Sequence, residues 1–226
     1  MIAQSSGKMT TSQQLSLTHG ILTRVKVITD GTNVAKVVLF DTDEGLTDAI
    51  LSTPTLAIGT TPANVSNIAF DFIVGGTLYT KAAVAAGTAP GNDAIPQNKY
   101  GAVALDIGAD GSIDVIEAAD NATGYNTAAL AIADIPAVAA SHVRLGTVTV
   151  VKTDGIFTFG TTSLADAAAT VVYTSVTPTV LKRIDETSVA GASLYGGGNI
   201  TVPIEFENGL HCSVAGTGAA AFVDYL

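Results

Sequence analysis

The residues best placed to do chemistry are four carboxylates within one dodecapeptide, Asp106-Ile-Gly-Ala-Asp-Gly-Ser-Ile-Asp-Val-Ile-Glu117. Asp106, Asp110, Asp114 and Glu117 fall where a twelve-residue calcium loop places its first, fifth, ninth and twelfth residues, and Gly111 falls on its glycine. A hard cation needs several oxygen donors at once, and this spacing offers them. Two features oppose calcium. The third position is Gly108, which brings no ligand. Both flanks, Val103-Ala-Leu105 and Ile113–Ile116, are β-type, whereas such a loop presents its last acid from an exiting helix. The favoured reading is a hairpin turn carrying solvated acids, with calcium at Asp106, Asp110, Asp114 and Glu117 as the alternative. Asp41, Asp43 and Glu44 form a second acidic turn with the same explanation.

Other reactive groupings are thinner. His19, His142 and His211 are far apart, and none stands at helical metal spacing from a second ligand. Cys212, the sole cysteine, lies in the alternating run Leu210-Cys212-Val214 and reads as a small core hydrophobe; no intrachain disulfide can form. His211 points to the opposite strand face, so the two cannot act on one substrate. No Gly-x-Ser-x-Gly elbow is present, and Gly196-Gly-Gly198 lacks the Lys-Ser/Thr of a phosphate loop. Twenty acids could supply a pair for glycoside hydrolysis, but no pair stands out. The expectation is no enzyme: no catalytic, cofactor-binding or metal residue is assigned, and no cofactor.

Composition narrows the class further. The 226 residues are 47% hydrophobic, only 13% charged and lack Trp, so a core must rest on aliphatic packing. A surface so poor in charge suits a chain covered by other subunits, since exposed apolar area otherwise promotes aggregation. The net charge of −10 argues against binding a phosphate backbone. The polar segment from Met1 to Gln14 lacks a signal-peptide core, and the apolar stretch Thr127–Ala140 is too short to span a bilayer. Neither nucleic acid nor membrane is an expected partner, and assembly in a cytoplasm-like compartment is expected.

Four turns of one kind position these residues: Thr29-Asp30-Gly31, Ala109-Asp110-Gly111, Thr153-Asp154-Gly155 and Glu207-Asn208-Gly209. Asp or Asn before Gly tolerates the backbone reversal of a hairpin, so each predicts one. Residues 1–14 read as a flexible or partner-bound arm. Ile21–Ile28, Val34–Phe40, Thr55–Ile58 and Ile68–Val74 read as strands. The segments Gly101–Ile116 and Gly146–Phe159 look like two copies of a hairpin, separated by a helix over Asn126–Asp134. Asn126 caps that helix, Ala128, Ile132 and Ile135 share its buried face, and Pro136 stops it. In the last pair of strands, alternation favours a three-residue loop that sets Phe206 opposite Leu210 and Ile204 opposite Cys212. Pro203 marks an edge or a bulge.

The middle block, Lys99-Tyr-Gly-Ala-Val-Ala-Leu-Asp-Ile-Gly-Ala-Asp-Gly-Ser-Ile-Asp-Val-Ile-Glu117, with Leu130–Val138 and Val143–Thr162, resembles a module of tailed-bacteriophage virion proteins. The flanks, Gly20–Val27 and Ile204–Leu210 through Gly216–Ala219, resemble a small phage β-sandwich. The resemblance implies a mainly β fold: a β-sandwich from residues 15–80 plus 178–226, with 81–177 inserted as a small α+β, ββαββ-like domain. It implies a non-enzymatic virion structural protein, a capsid decoration subunit that binds the outer shell of major capsid protein and stabilises it, commonly as a homo-oligomer. A tail or surface adhesion module binding host glycan, with or without calcium, is the alternative.

Overall fold

The structure is a computed structural model that describes residues 4–30, 32–33, 35–189, 204–216 and 218–226, with the backbone alone over 184–189. Gly196–Gly198 and Pro203 lie outside the described residues. The fold is mainly β, 48% strand and 3% helix, built from antiparallel sheets.

In chain order the first strands are β1 (Gln4–Ser5), β2 (Gln13–Ser16), β3 (Gly20–Ile28), β4 (Ala35–Phe40) and β5 (Ala49–Ile50). Then come β6 (Ala57–Ile58), β7 (Val65–Asn67), β8 (Phe70–Val74), β9 (Thr77–Lys81), β10 (Val84–Thr88) and β11 (Ala94–Ile95). The middle holds β12 (Tyr100–Gly108), β13 (Ile113–Glu117), the helix α1 (Ala128–Ala133), β14 (His142–Lys152), β15 (Phe157–Thr158) and β16 (Ala169–Ser175). The last are β17 (Arg183–Val189), β18 (Ile204–Phe206), β19 (Leu210–Ala215) and β20 (Ala220–Tyr225).

Two compact units result: Met1–Thr47, Gly75–Tyr79 and Val180–Leu226 form one, Asp48–Val74 and Thr80–Thr179 the other. Residues 48–74, expected with the outer segments, thus group with the middle block. Their ladders explain why: β5 pairs with β8, β6 with β7, and β7 with β10, so these short strands find partners among themselves and in the chain that follows.

The first unit holds two four-stranded sheets, ordered β1-β20-β3-β18 and β17-β4-β19-β2. Their inward residues share one buried cluster that includes Leu22, Val25, Val27, Val37, Leu39, Phe206, Leu210, Cys212 and Val223. The inward phase slips from Leu22 to Val25 because the β20·β3 register shifts between Asp224 and Tyr225, and the Thr23 hydroxyl donates to the Asp224 carbonyl there.

Two expected hairpins of this unit are absent. β3 and β4 flank Asp30 but belong to different sheets, and so do β18 and β19 on either side of Asn208. Phe206 pairs with Gly20 and Leu210 with Ser16, in place of the expected Phe206–Leu210 and Ile204–Cys212 pairs. Alternation had identified the buried faces correctly, since Phe206, Leu210 and Cys212 are all core and Ile204 packs against it. Each turn carries the chain from one sheet to the facing one. The Asp30 carboxylate stabilises its turn by accepting from the Thr32 and Asn33 N–H groups at 2.9 and 2.8 Å.

The described part of the N-terminal arm is not free. β1 pairs with β20, β2 pairs with β19, and Met9 enters the core. Two of its serines act as backbone substitutes: Ser6 Oγ accepts from Val223 N at 2.9 Å and Ser12 Oγ from Val214 N at 3.1 Å.

In the second unit the main sheet is ordered β13-β12-β14-β16. β12 and β13 make the expected hairpin, with Ile107 opposite Ile113 and Gly111 in the left-handed region at φ 78°. The second expected hairpin is different: β14 pairs with β16, and β15 after Asp154-Gly155 pairs with β11. The helix is capped by Thr127, whose hydroxyl accepts from Leu130 N, one residue later than expected. Ala131 and Ile135 are its buried contacts with Ala102, Ala104 and Ala118, and Ile132 is exposed. Asn121 is fully buried and completes β12 as a strand would: its amide donates to the Ala102 carbonyl and accepts from the Ala102 N–H, both at 2.9 Å.

Candidate functional site

Strand alternation separates the four acids of the dodecapeptide. On β13, Asp114 points to one sheet face and Glu117 to the other, because they are three residues apart. Glu117 Oε1 accepts from the backbone N–H groups of Asn92 and Asp93 at 2.9 and 3.1 Å, closing a loop of its own unit. Asp110 Oδ1 accepts from the N–H and hydroxyl of Ser112 at 2.9 and 2.7 Å, which fixes the hairpin turn and lowers its pKa.

Asp106 and Asp114 do meet, as opposed residues on β12 and β13. Like charges facing each other destabilise a sheet unless neutralised. Two side chains from β14 face them, Arg144 and His142. Arg144 grips the buried Asp106 carboxylate with Nε at 2.9 Å and Nη2 at 3.2 Å, and donates a further bond to the Pro136 carbonyl at 2.9 Å. His142 Nε2 lies 3.2 Å from Asp114. Its pKa is raised, first by the bond from Nδ1 to the Ala140 carbonyl and then by Asp114, Asp106 and Asp110. The result is a charge ladder across three strands that ties down the chain between α1 and β14. Asp106 and Asp114 are thus engaged by Arg144 and His142, and no group of three or more metal-ligating side chains converges among the described residues.

The second acidic turn splits in the same way. Asp41 is fully buried at its side chain, and Asp43 and Glu44 are not. Asp41 Oδ1 accepts from Asn208 N at 2.8 Å, Glu207 N at 3.1 Å and Gly209 N at 3.4 Å, while Oδ2 receives Lys182 Nζ at 2.7 Å. Burial works to raise its pKa. Lys182 and the Asn208, Glu207 and Gly209 amides outweigh burial and bring it to about 2. Asp41 is therefore the anion that holds the β18–β19 crossing, a cradle of successive N–H groups around one carboxylate.

His211 and Cys212 are placed as their alternation required. Cys212 lies in the core, fully buried, and burial pushes its thiol up to about 12. His211 faces away from it, with Nδ1 3.1 Å from Gln14 Oε1, and burial lowers its pKa. Neither group is poised for nucleophilic chemistry.

One feature escaped the sequence: a cleft of about 640 Å³ in the first unit, lined by His19, Gly20, Ile21, Glu205, Phe206, Glu207 and Leu226. Its size suits a small ligand. Its titratable side chains are on the rim, and His19 makes no ion pair with Glu205 or Glu207 among the described residues. It lies beside the pairing of β3 with β18, a meeting of distant chain segments that no local motif announces. No described helix is long and apolar enough to cross a membrane. Comparison of the chain with protein-family models, with curated proteins and with solved structures found no match.

Proposed function

We propose that this chain is a non-enzymatic structural subunit of a tailed-bacteriophage virion, a capsid decoration protein that binds the outer shell and stabilises it. On this reading the two-sheet unit is a β-sandwich, and the unit of Asp48–Val74 and Thr80–Thr179 carries the inserted α+β module in its β13-β12-β14-β16 sheet and α1. The observation that carries it is the pairing of two surface properties. Large apolar side chains stand exposed in both units, Leu17 at 68% and Val180 at 94% in one, Leu130, Ile156 and Val172 above half in the other. Asp41, Asp106, Asp110, Asp114, Glu117 and His142, acids and an imidazole in or beside the two acidic turns, are instead used to fix turns and strand crossings. A chain with 13% charged residues gains by covering such apolar surface against neighbours, and a patch on the order of 800 Å² per partner makes a stable contact. Repetition over a shell lattice multiplies the effect.

The test is co-sedimentation of the purified chain with emptied heads that lack it. Saturable binding that raises the melting temperature of the shell supports the proposal; heads that pellet without the chain at micromolar concentration refute it. The cleft between His19 and Glu205 favours a second reading, a surface module binding host glycan, since carboxylates and imidazole at a rim can hold sugar hydroxyls. Specific signals on a glycan array, with no binding to heads, would select it.

A further inference from the structure

The four-stranded sheet of the second unit ends in two very different edges. β13 closes one side with Asp114 and Glu117, charges of the kind that discourage pairing. β16 closes the other with Ala169-Thr-Val-Val-Tyr-Thr-Ser175: seven residues with no charge, no proline and no glycine. Its β14 ladder is regular from Gly146↔Ser175 to Lys152↔Ala169. The flanking bonds Val176 N to Leu145 O and Thr153 N to Ala168 O set the phase, so Thr170, Val172 and Thr174 bond to β14. Val171 and Tyr173 therefore direct both N–H and C=O away from the sheet, and no described backbone group outside the strands bonds to them. Val172 is 51% exposed, on a seven-residue strand with an unbroken register, long enough to serve as a template.

We infer that β16 is a homodimer interface, pairing antiparallel with β16 of a second copy about a two-fold axis through Val172 and joining two four-stranded sheets into one. The occupant follows from charge. The chain carries −10, so two copies approach with least repulsion where neither presents a carboxylate, and β16 is such an edge. The register follows from phase. A two-fold at Val172 makes Val171 and Tyr173 of opposite copies a hydrogen-bonded pair, matches Ala169 with Ser175, and leaves no residue of the strand over. Val172 meets its own mate in the closer, non-hydrogen-bonded position, flanked by Thr170–Thr174 pairs, a favourable cross-strand combination. The interface belongs to the second unit alone and does not depend on the virion reading.

The test uses the full chain in sedimentation equilibrium and native mass spectrometry. Wild type should be dimeric at micromolar concentration. Val172→Lys and Val172→Glu, at an exposed position, should each fold normally by circular dichroism and weaken dimerisation about tenfold or more. Mixing the two variants should restore a heterodimer, which a folding defect cannot produce. In Val172→Cys, mild oxidation should yield a covalent dimer through the introduced thiol, because Cys212 is buried. A wild type that stays monomeric at high micromolar concentration overturns the inference. So does a dimer indifferent to both charge variants, or a Val172→Cys variant that does not cross-link. Shell binding retained by a monomeric wild type would remove this interface and leave the proposed function standing.

Discussion

Replacing Asp41 should uncouple the two sheets of the first unit. Its carboxylate is fully buried, accepts three backbone N–H groups of the 207–209 turn, and pairs with Lys182. The fall of its pKa from 3.8 to about 2 means the folded protein favours the charged form by roughly 2 kcal/mol. Asp41→Asn keeps one acceptor oxygen but sets an amide donor against the Lys182 ammonium, so the expected loss is about 2–3 kcal/mol at pH 7. For a unit near 100 residues that is a melting shift on the order of 10 °C. The sign with pH is fixed, because the folded pKa is depressed. The contribution is complete above about pH 4, where the unfolded carboxyl is ionised, and is lost as pH falls through about 2. Denaturant unfolding of wild type and Asp41→Asn at pH 7, 4 and 2 should show the gap close across that window. Hydrogen exchange over residues 204–216 should locate the damage. A gap below about 0.5 kcal/mol at pH 7, or one unchanged at pH 2, would refute the assignment of Asp41 as the anchor of the crossing.

Three further outcomes are expected. Arg144→Met should destabilise the second unit by about 3 kcal/mol, because it leaves the buried Asp106 carboxylate without its bidentate partner; urea unfolding measures this, and a loss below about 1 kcal/mol contradicts the ladder. EDTA followed by millimolar calcium should leave the melting temperature unchanged, since Asp106, Asp110, Asp114 and Glu117 are held by Arg144, Ser112, His142 and the Asn92–Asp93 backbone; a rise of several degrees with calcium contradicts that. Cys212 should be inert to thiol reagents in the native state and react only as the first unit opens, so fast labelling at pH 8 without denaturant would contradict its buried, high-pKa setting.

What the sequence conveyed depended on how local the cause was. The β12–β13 hairpin was readable because Ala109-Asp110-Gly111 closes it within a few residues, and Gly111 has the positive φ the motif calls for. The same chemistry at Asp30 and Asn208 misled, because Asx-Gly turns report that the chain reverses and not which sheet it joins next. Burial was legible where pairing was not. The alternation of Leu210, Cys212 and Val214 placed them in the core although their neighbours are Ser16, Gln13 and β4 rather than β18. Asp41 looked like a solvated acid because its partners lie at Lys182 and Glu207–Gly209, more than 140 residues along the chain. The helix shifted by one cap residue, from Asn126 to Thr127, since both side chains can accept the capping bond and only one is three residues before Leu130.

The central claim is that the exposed apolar surface of this chain exists to meet neighbouring subunits of a particle. Cryo-electron microscopy of emptied heads incubated with the purified chain tests it most directly. The account predicts discrete density at symmetry-equivalent positions on the outer shell, with exposed apolar residues of one unit, such as Leu17 and Val180 or Leu130 and Ile156, buried against the capsomers. Bare capsomers at saturating protein, with the same residues left in solvent, would contradict it.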